Sequence, residues 1–317
     1  MRLAGPCGLK PGRLAPARSS SGSQEPPSAL SPAAPVASVD TVAPPALGAR
    51  RLADELAADG LVLRTGPFVY RLRSDVPVVA EQLQRLYAAY PRAPAAGFID
   101  FEIELKRSRG WRRWIRPQSR FLFEGAQSFE PLPLAHGFAL LEWAMNWCVS
   151  SQVNHYLLIH SAVLERAGRA VILPAPPGSG KSTLCAALVH RGWRLLSDEI
   201  AVVPLDTDGL RPLVWPLVRP VSLKNASIDV IAGFAPEARF SRPALGTAKG
   251  TVAHMQTPDA HVRRMDEPAP AAWIVFPRAG APGPRPHSHP AAGPARWSTW
   301  PPTASTRPLW ACRASSG

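Results

Sequence analysis

Gly178-Ser179-Gly180-Lys181-Ser182-Thr183 gathers two glycines, a lysine and three hydroxyls within six positions. Glycines this close let the backbone curl until several N–H groups point at one anion. A helix starting at the end of the curl adds its positive N-terminal end. Lys181 then places a charge on the outer phosphates of a nucleotide, and Ser182 puts a hydroxyl on Mg²⁺. The usual spacing of such a loop is Gly-x-x-x-x-Gly-Lys-Ser/Thr, and here its first glycine is Ala175. The competing reading is a chance Gly/Ser turn. Context argues against it, because a strand-like run ending at Pro174 enters the loop and an amphipathic helical stretch leaves it.

Two more features accompany the loop. Asp198-Glu199 lie midway along Trp193 to Val203, an otherwise apolar strand-like run. Adjacent acids there are costly unless they hold a cation or pair with a base. Beside a phosphate loop the cation would be Mg²⁺; the alternative is a solvated strand end. His160 lies in Tyr156 to Leu164, a strand joined by a turn at Ala167-Gly168 to the strand that feeds the loop. Thr247-Ala248-Lys249-Gly250-Thr251 reads either as a second phosphate-contacting loop or as an ordinary Lys-Gly turn.

The elements that must position these residues follow from periodicity. Leu61 to Leu72 reads as a β-hairpin turning at Thr65-Gly66-Pro67. Val78 to Tyr90 has apolar residues at helical spacing, and Leu134 to Val149 is a strong helix. Phe98 to Leu105 alternates as a half-buried strand does. Arg107 to Arg120 interleaves Arg with Trp111 and Trp114. That pattern reads as a hairpin edge with tryptophans under Arg stems rather than a nucleic-acid surface. Leu184 to His190 is the helix after the loop, closed by Gly192. Residues 211–265 read as alternating short strands and turns with a short helix at Ile228 to Ile231, and Trp273 to Pro277 as a last strand.

Composition bounds the rest. The chain has 317 residues, 37 prolines and a formal net charge of +13 that is nearly all arginine. This basicity is read as compositional bias, with no nucleic-acid partner expected. Residues 1–50 are Ala, Pro and Ser-rich without periodicity and are expected to be disordered. Residues 51–150 form a small α+β region, 151–278 the nucleotide-binding domain, and 279–317 a disordered or out-of-frame tail. Cys7, Cys148, Cys185 and Cys312 lack metal-type spacing, and Cys148 and Cys185 are expected as buried thiols. No apolar run is long enough to span a membrane, so a reduced, cytoplasmic setting is expected.

Taken together, His160, Gly178 to Ser182 and Arg191-Gly192-Trp193-Arg194-Leu195-Leu196-Ser197-Asp198-Glu199 resemble the HPr serine kinase/phosphorylase superfamily, and more closely the HprK-related kinase A group. Pro220 to Ile231 and Thr247 to His254 resemble segments of that group. The resemblance implies an α/β phosphate-loop kinase domain of the HPr kinase/PEP-carboxykinase type. It implies ATP and Mg²⁺ as cofactors. Gly178, Ser179, Gly180, Lys181, Ser182 and Thr183 would bind the nucleotide phosphates, and Ser182 and Glu199 the metal. Asp198, His160 and Lys181 would be catalytic, with Asp198 orienting or deprotonating an accepting hydroxyl. The acceptor would be a serine of a partner protein or a small-molecule hydroxyl, and the kinase a homo-oligomer. Two other readings stay open: a nucleotide-binding switch without catalysis, and a small-molecule ATPase or carboxykinase-like enzyme.

Overall fold

The computed structural model describes residues 48–277, apart from 95, 111 and 206–211. The readings of residues 1–47 and of the tail from 278 onward lie outside the described residues. The first elements are α1 (Ala49–Ala57), β1 (Leu61–Thr65), β2 (Phe68–Ser74), α2 (Pro77–Leu86), β3 (Phe101–Arg107), α3 (Arg112–Ile115), β4 (Gln118–Phe123), β5 (Ala126–Gln127), β6 (Leu132–Pro133) and α4 (Gly137–Gln152). Then come β7 (Tyr156–Arg166), β8 (Arg169–Pro174), α5 (Lys181–His190), β9 (Arg194–Ser197), β10 (Ile200–Pro204) and β11 (Leu213–Val214). The last are β12 (Val221–Lys224), α6 (Ala226–Phe234), β13 (Ala244–Thr247), β14 (Gly250–Met255), α7 (Asp259–Arg263) and β15 (Ala269–Ile274).

The result is mixed α/β with three sheets. The first runs β1-β2-β3-β4-β5 with β6 also on β4, and only its β2–β3 pair is parallel. Its period-two pattern is clear in β2, where Phe68, Tyr70 and Leu72 are buried and Val69, Arg71 and Arg73 are not fully so, as a pleated strand with one covered face requires. The hairpin turn falls at Gly66, in the left-handed region at φ +57°. A Cβ on Gly66 would come 1.8 Å from the Pro216 carbonyl oxygen, so this turn is pressed against the segment that leads to Arg219.

Helix α4 is buried almost all round, through Phe138, Leu140, Leu141, Ala144, Met145, Cys148 and Val149. Its apolar side chains join those of α1, α2, β1 to β4, β10 and α7 in one cluster. Residues on both sides of position 150 therefore share a core. Among the described residues no helix is long and apolar enough to cross a membrane.

The expected hairpin edge at 107–120 is the end of an antiparallel β3–β4 hairpin, paired at Arg107↔Ser119, whose connection carries the four-residue helix α3 with Trp114 77 % exposed. The last strand is displaced, to Ala269–Ile274, because β15 takes its register from β8 through pairs such as Ile274↔Ile172.

The second sheet carries the loop. Its order is β10-β7-β8-β15-β11, with β9 also on β7 and with β8–β15 the parallel pair. The Trp215 N–H donates to the Val202 carbonyl at 2.8 Å, which brings the β11 end of the sheet back to β10. Val163, Ile172, Leu196, Ala201, Val203 and Val214 form the small core so enclosed. The third sheet is antiparallel, in the order β12-β14-β13.

Helix α7 is tied to the second sheet by a histidine. The Leu195 N–H donates to His261 Nδ1 at 3.2 Å. Burial, then the neighbouring Arg194 and Arg264, hold the His261 imidazole down to a pKa of about 4. A histidine with a depressed pKa in the folded state stabilises fully above its unfolded value and loses that contribution as pH falls through the folded one. The window here is pH 6.5 down to about 4. Asparagine at 261 offers an oxygen in place of Nδ1 and does not titrate. His261→Asn is expected to remove about 1–2 kcal/mol of the acid-side loss, after allowance for the ring's partial exposure. Melting temperatures compared at pH 7 and pH 4.5 check this. An unchanged difference between the two pH values would show that His261 does not carry the slope.

Candidate functional site

Strand β7 positions both halves of the site. On one edge it pairs with β8, through Ser161↔Pro174 and Ala162↔Leu173, so the phosphate-type loop leaves β8 beside Ser161. On its other edge it pairs with β10 through Ile200↔His160 and with β9 through Val163↔Ser197. Asp198-Glu199 fall between β9 and β10, where the Ser161 N–H donates to the Glu199 carbonyl at 3.1 Å. The expected continuous strand with acids midway is thus two strands with a break at the acids. Extended pairing would have fixed their side chains on opposite faces; the break lets both carboxylates reach one site.

The loop has the geometry its glycines allow. Gly178 and Gly180 take φ +84° and +80°. Gly180 is the N-cap of α5, and no side chain caps that end. The first-turn N–H groups of Lys181, Ser182 and Thr183 are therefore without a side-chain acceptor at the positive end of the helix. The Ser179 hydroxyl is buried without a hydrogen-bond partner. Nothing lies within 4 Å of where a Gly178 Cβ would sit, so open space faces the loop at that point.

His160, Lys181 and Glu199 make a chain of contacts. Lys181 Nζ donates to His160 Nε2 at 3.2 Å. Because an ammonium can only donate, Nε2 must be the unprotonated nitrogen. His160 Nδ1 faces Glu199 Oε2 at 3.6 Å. Burial, then Lys181, lower the His160 pKa, with Glu199 opposing them, so the ring is neutral at pH 7. The two acids differ in environment. Asp198 is 5 % exposed, and its Oδ2 accepts the Ser222 N–H at 2.9 Å. Burial and the adjacent Glu199 carboxylate raise its proton affinity, against the pull of Lys181 and the Ser182 hydroxyl. Burial acts on Glu199 in the same sense, but Lys181, then Lys224, with Lys249 a smaller influence, hold it below the usual carboxylate range.

Lys224 and Lys249 reach the site through a loop-to-loop clasp. Asn225 sits at φ +52°. Its Oδ1 accepts the Thr251 N–H at 3.0 Å, and its Nδ2 donates to the Lys249 carbonyl at 3.4 Å. A Cβ on Gly250 would come 2.1 Å from Asn225 Oδ1, so glycine is required for the two turns to close. Lys249 Nζ also lies 5.5 Å from the centre of the Trp143 ring, a cation–π contact. The 247–251 segment is thus a turn whose lysine stacks on Trp143 and adds to the positive charge acting on Glu199.

Behind Asp198 the wall is polar and buried. Arg219 Nη1 donates to the Glu142 carbonyl at 3.3 Å and lies 3.6 Å from Glu142 Oε2; its Nη2 donates to Asn146 Oδ1. The Tyr87 hydroxyl donates to Glu142 Oε1 at 2.6 Å. Sequence reasoning missed Arg219, Glu142, His254 and Lys224. One signal for the lysines existed. The chain has only Lys10, Lys106, Lys181, Lys224 and Lys249, and the last three all act on the Glu199 carboxylate. Arg219 and Glu142 lie 77 positions apart, and no local pattern marks such a pair. Among the described residues no group of three or more His, Cys, Asp or Glu is placed to hold a metal ion. Cys148 and Cys185 are free and buried, as expected.

The class defined by fold and site is a mixed α/β protein in which a glycine-rich turn opens a helix beside a pair of acids. Residues 139–229, from α4 into α6, match the family model described as ScmC, SynChlorMet cassette protein. No curated protein and no solved structure matches the chain. The resemblance to the HPr kinase/phosphorylase superfamily and its HprK-related kinase A group is therefore corrected: the stretch that carries most of it belongs to the ScmC match, and no HPr kinase family matches. The physical reason is that those residues meet local demands. Any anion turn that opens a helix needs such glycines, and any lysine beside it favours nearby acids. They define a type of site and do not select among families.

Proposed function

We propose that the chain binds a nucleotide, with ATP and Mg²⁺ as ligands, and transfers a phosphoryl group to a hydroxyl of a protein or small molecule. The observation that carries this reading is convergence. Lys181, Lys224 and Lys249 all draw Glu199 toward its charged form, next to an uncapped helix N-terminus whose loop already has two left-handed glycines. Three cations around two anions leave positive charge for a polyphosphate, which phosphoryl transfer uses for positioning and neutralisation more than for covalent chemistry. The N–H groups of residues 178 to 183 would cradle the phosphates, with Lys181 on the outer ones.

Ser182 and Glu199 would hold Mg²⁺. Two protein ligands suffice, because Mg²⁺ normally takes the rest of its shell from phosphates and water. Bound there, the ion would neutralise phosphate charge. His160, neutral and held by Lys181, would stand near the transferring group. Asp198 would orient the acceptor hydroxyl and take its proton, a role its raised proton affinity suits. A cytoplasmic setting fits these ligands.

The test is Asp198→Asn. Mg-ATP binding by calorimetry is expected to stay within about threefold, while turnover falls by roughly 100-fold or more, the scale of a lost general base. ATP turnover that survives the change would remove Asp198 from the base role. Wild-type protein that binds Mg-ATP without ever turning it over would make the chain a nucleotide-binding module.

A further inference from the structure

Four buried polar side-chain atoms without a hydrogen-bond partner belong to residues lining one cavity: Asp198 Oδ1, Arg219 Nε, Ser222 Oγ and His254 Nε2. The cavity measures about 10 Å³, close to the least space that admits one water. The four residues are 5 %, 6 %, 7 % and 2 % exposed. Leaving such atoms unpaired costs about 1–3 kcal/mol each, which a well-packed interior rarely tolerates in a group of four.

Their chemistry is complementary to one molecule. Arg219 Nε can only donate, and the ionised Asp198 oxygen can only accept. Ser222 Oγ and the His254 ring nitrogen can each do either. Burial, then Arg219, hold His254 down to a pKa of about 3, so its ring is neutral and carries one donor and one acceptor. Water has two donors and two acceptors. It can accept from Arg219 and from one of Ser222 and His254, and donate to Asp198 and to the other.

We propose that a single ordered water occupies this cavity and fixes the Asp198 carboxylate, making Arg219 and His254 positioning residues for it. Asp198 Oδ2 is already held by the Ser222 amide, so the water would lock the second oxygen. Arg219 is itself fixed by Glu142 and Asn146 on α4, so the orientation of Asp198 would be set from α4. The water site does not depend on the phosphoryl-transfer reading; its consequence for catalysis does.

The test compares Ser222→Ala with Ser222→Val. Both keep the backbone bond to Asp198. Alanine leaves room for the water, whereas valine fills the space. With the water present, Ser222→Val is expected to melt several degrees below Ser222→Ala, because Asp198, Arg219 and His254 lose their shared partner. A dry cavity predicts the opposite sign, since the added methyl would fill a void. A water-to-amide NOE at Ser222 should appear in wild type and in Ser222→Ala and vanish in Ser222→Val. If wild type shows no such NOE, or a crystal structure shows Asp198 Oδ1 bonded directly to Arg219, the proposal is overturned. In turnover of Mg-ATP the valine variant should lose kcat about tenfold with KM little changed. Should the protein never bind Mg-ATP, the NOE and melting results still decide the water site.

Discussion

Replacing Lys181 with methionine is expected to weaken Mg-ATP binding by about 100-fold or more, as removal of one partner of a desolvated charge contact does. It is also expected to lower stability at neutral pH by roughly 2–4 kcal/mol, the cost of leaving buried charges uncompensated. Lys181 is 8 % exposed and donates to His160. After burial itself it is the largest influence on Glu199. Without it, Asp198 and Glu199 repel each other in a poorly solvated place, and both proton affinities rise. A carboxylate with a raised folded-state pKa stabilises below its unfolded pKa and loses that contribution as pH rises through the folded one. The stability loss should therefore be largest above pH 6 and shrink toward pH 4. Isothermal calorimetry with Mg-ATP and denaturant curves at pH 5 and 7.5 measure the two effects separately. Unchanged binding would remove the lysine from the phosphate site. Equal stability loss at both pH values would mean that the acids are not its partners.

Arg194→Met should cost about 3–5 kcal/mol, the scale for breaking one side of a buried ion pair. Arg194 and Glu165 side chains are each 6 % exposed, with Nε 2.7 Å from Oε2. Arg194 Nη1 also donates to the carbonyls of Arg264 and Glu267, both at 3.0 Å. Glu165 Oε1 accepts the Gly168 N–H at 2.6 Å. Burial raises the proton affinity of Glu165, but the Arg194 and Gly168 hydrogen bonds outweigh it and hold the carboxyl below its usual range. The single change would take the ion-pair partner from the Glu165 carboxylate, leaving it the Gly168 N–H at 2.6 Å and Arg264 Nη2 at 4.0 Å, and would take the guanidinium donor from the Glu267 carbonyl. It should lower the melting temperature by roughly 6–20 °C for a domain of this size. The double variant Glu165→Met/Arg194→Met should recover part of the loss, because no lone charge remains. A loss under 1 kcal/mol in the single variant would contradict a buried pair at this position.

How much of this was legible before the structure depends on sequence distance. The loop, His160 and the acids lie within about 40 positions, and their types alone carry the reading of an anion site that is proposed above. The hairpin at Gly66, helix α4 and the β7–β8 turn at Ala167-Gly168 follow from local periodicity and turn chemistry. Lys224 and Lys249 were harder. Their placement depends on Asn225 bonding to Thr251 and Lys249 across strand pairing, which no local pattern encodes. The break at Asp198-Glu199 was hidden because the apolar residues on both sides are equally good strand formers. The family assignment failed for a related reason. Every residue that suggested it satisfies a requirement of the turn itself, so agreement there carried little information about ancestry.

Strand β7 offers a last consequence. The loop and the acids are indexed on the same ruler, because Pro174 and the Glu199 carbonyl both take their places from Ser161. An extra residue at the exposed Ala167-Gly168 turn, where a Gly168 Cβ would meet open space, shifts nothing in that count. One inserted between His160 and Ser161 would turn His160 to the opposite face and shift its β10 partners by one. The protein should thus tolerate lengthening at one end of this strand and resist it at the other, a marked polarity within a single element of eleven residues.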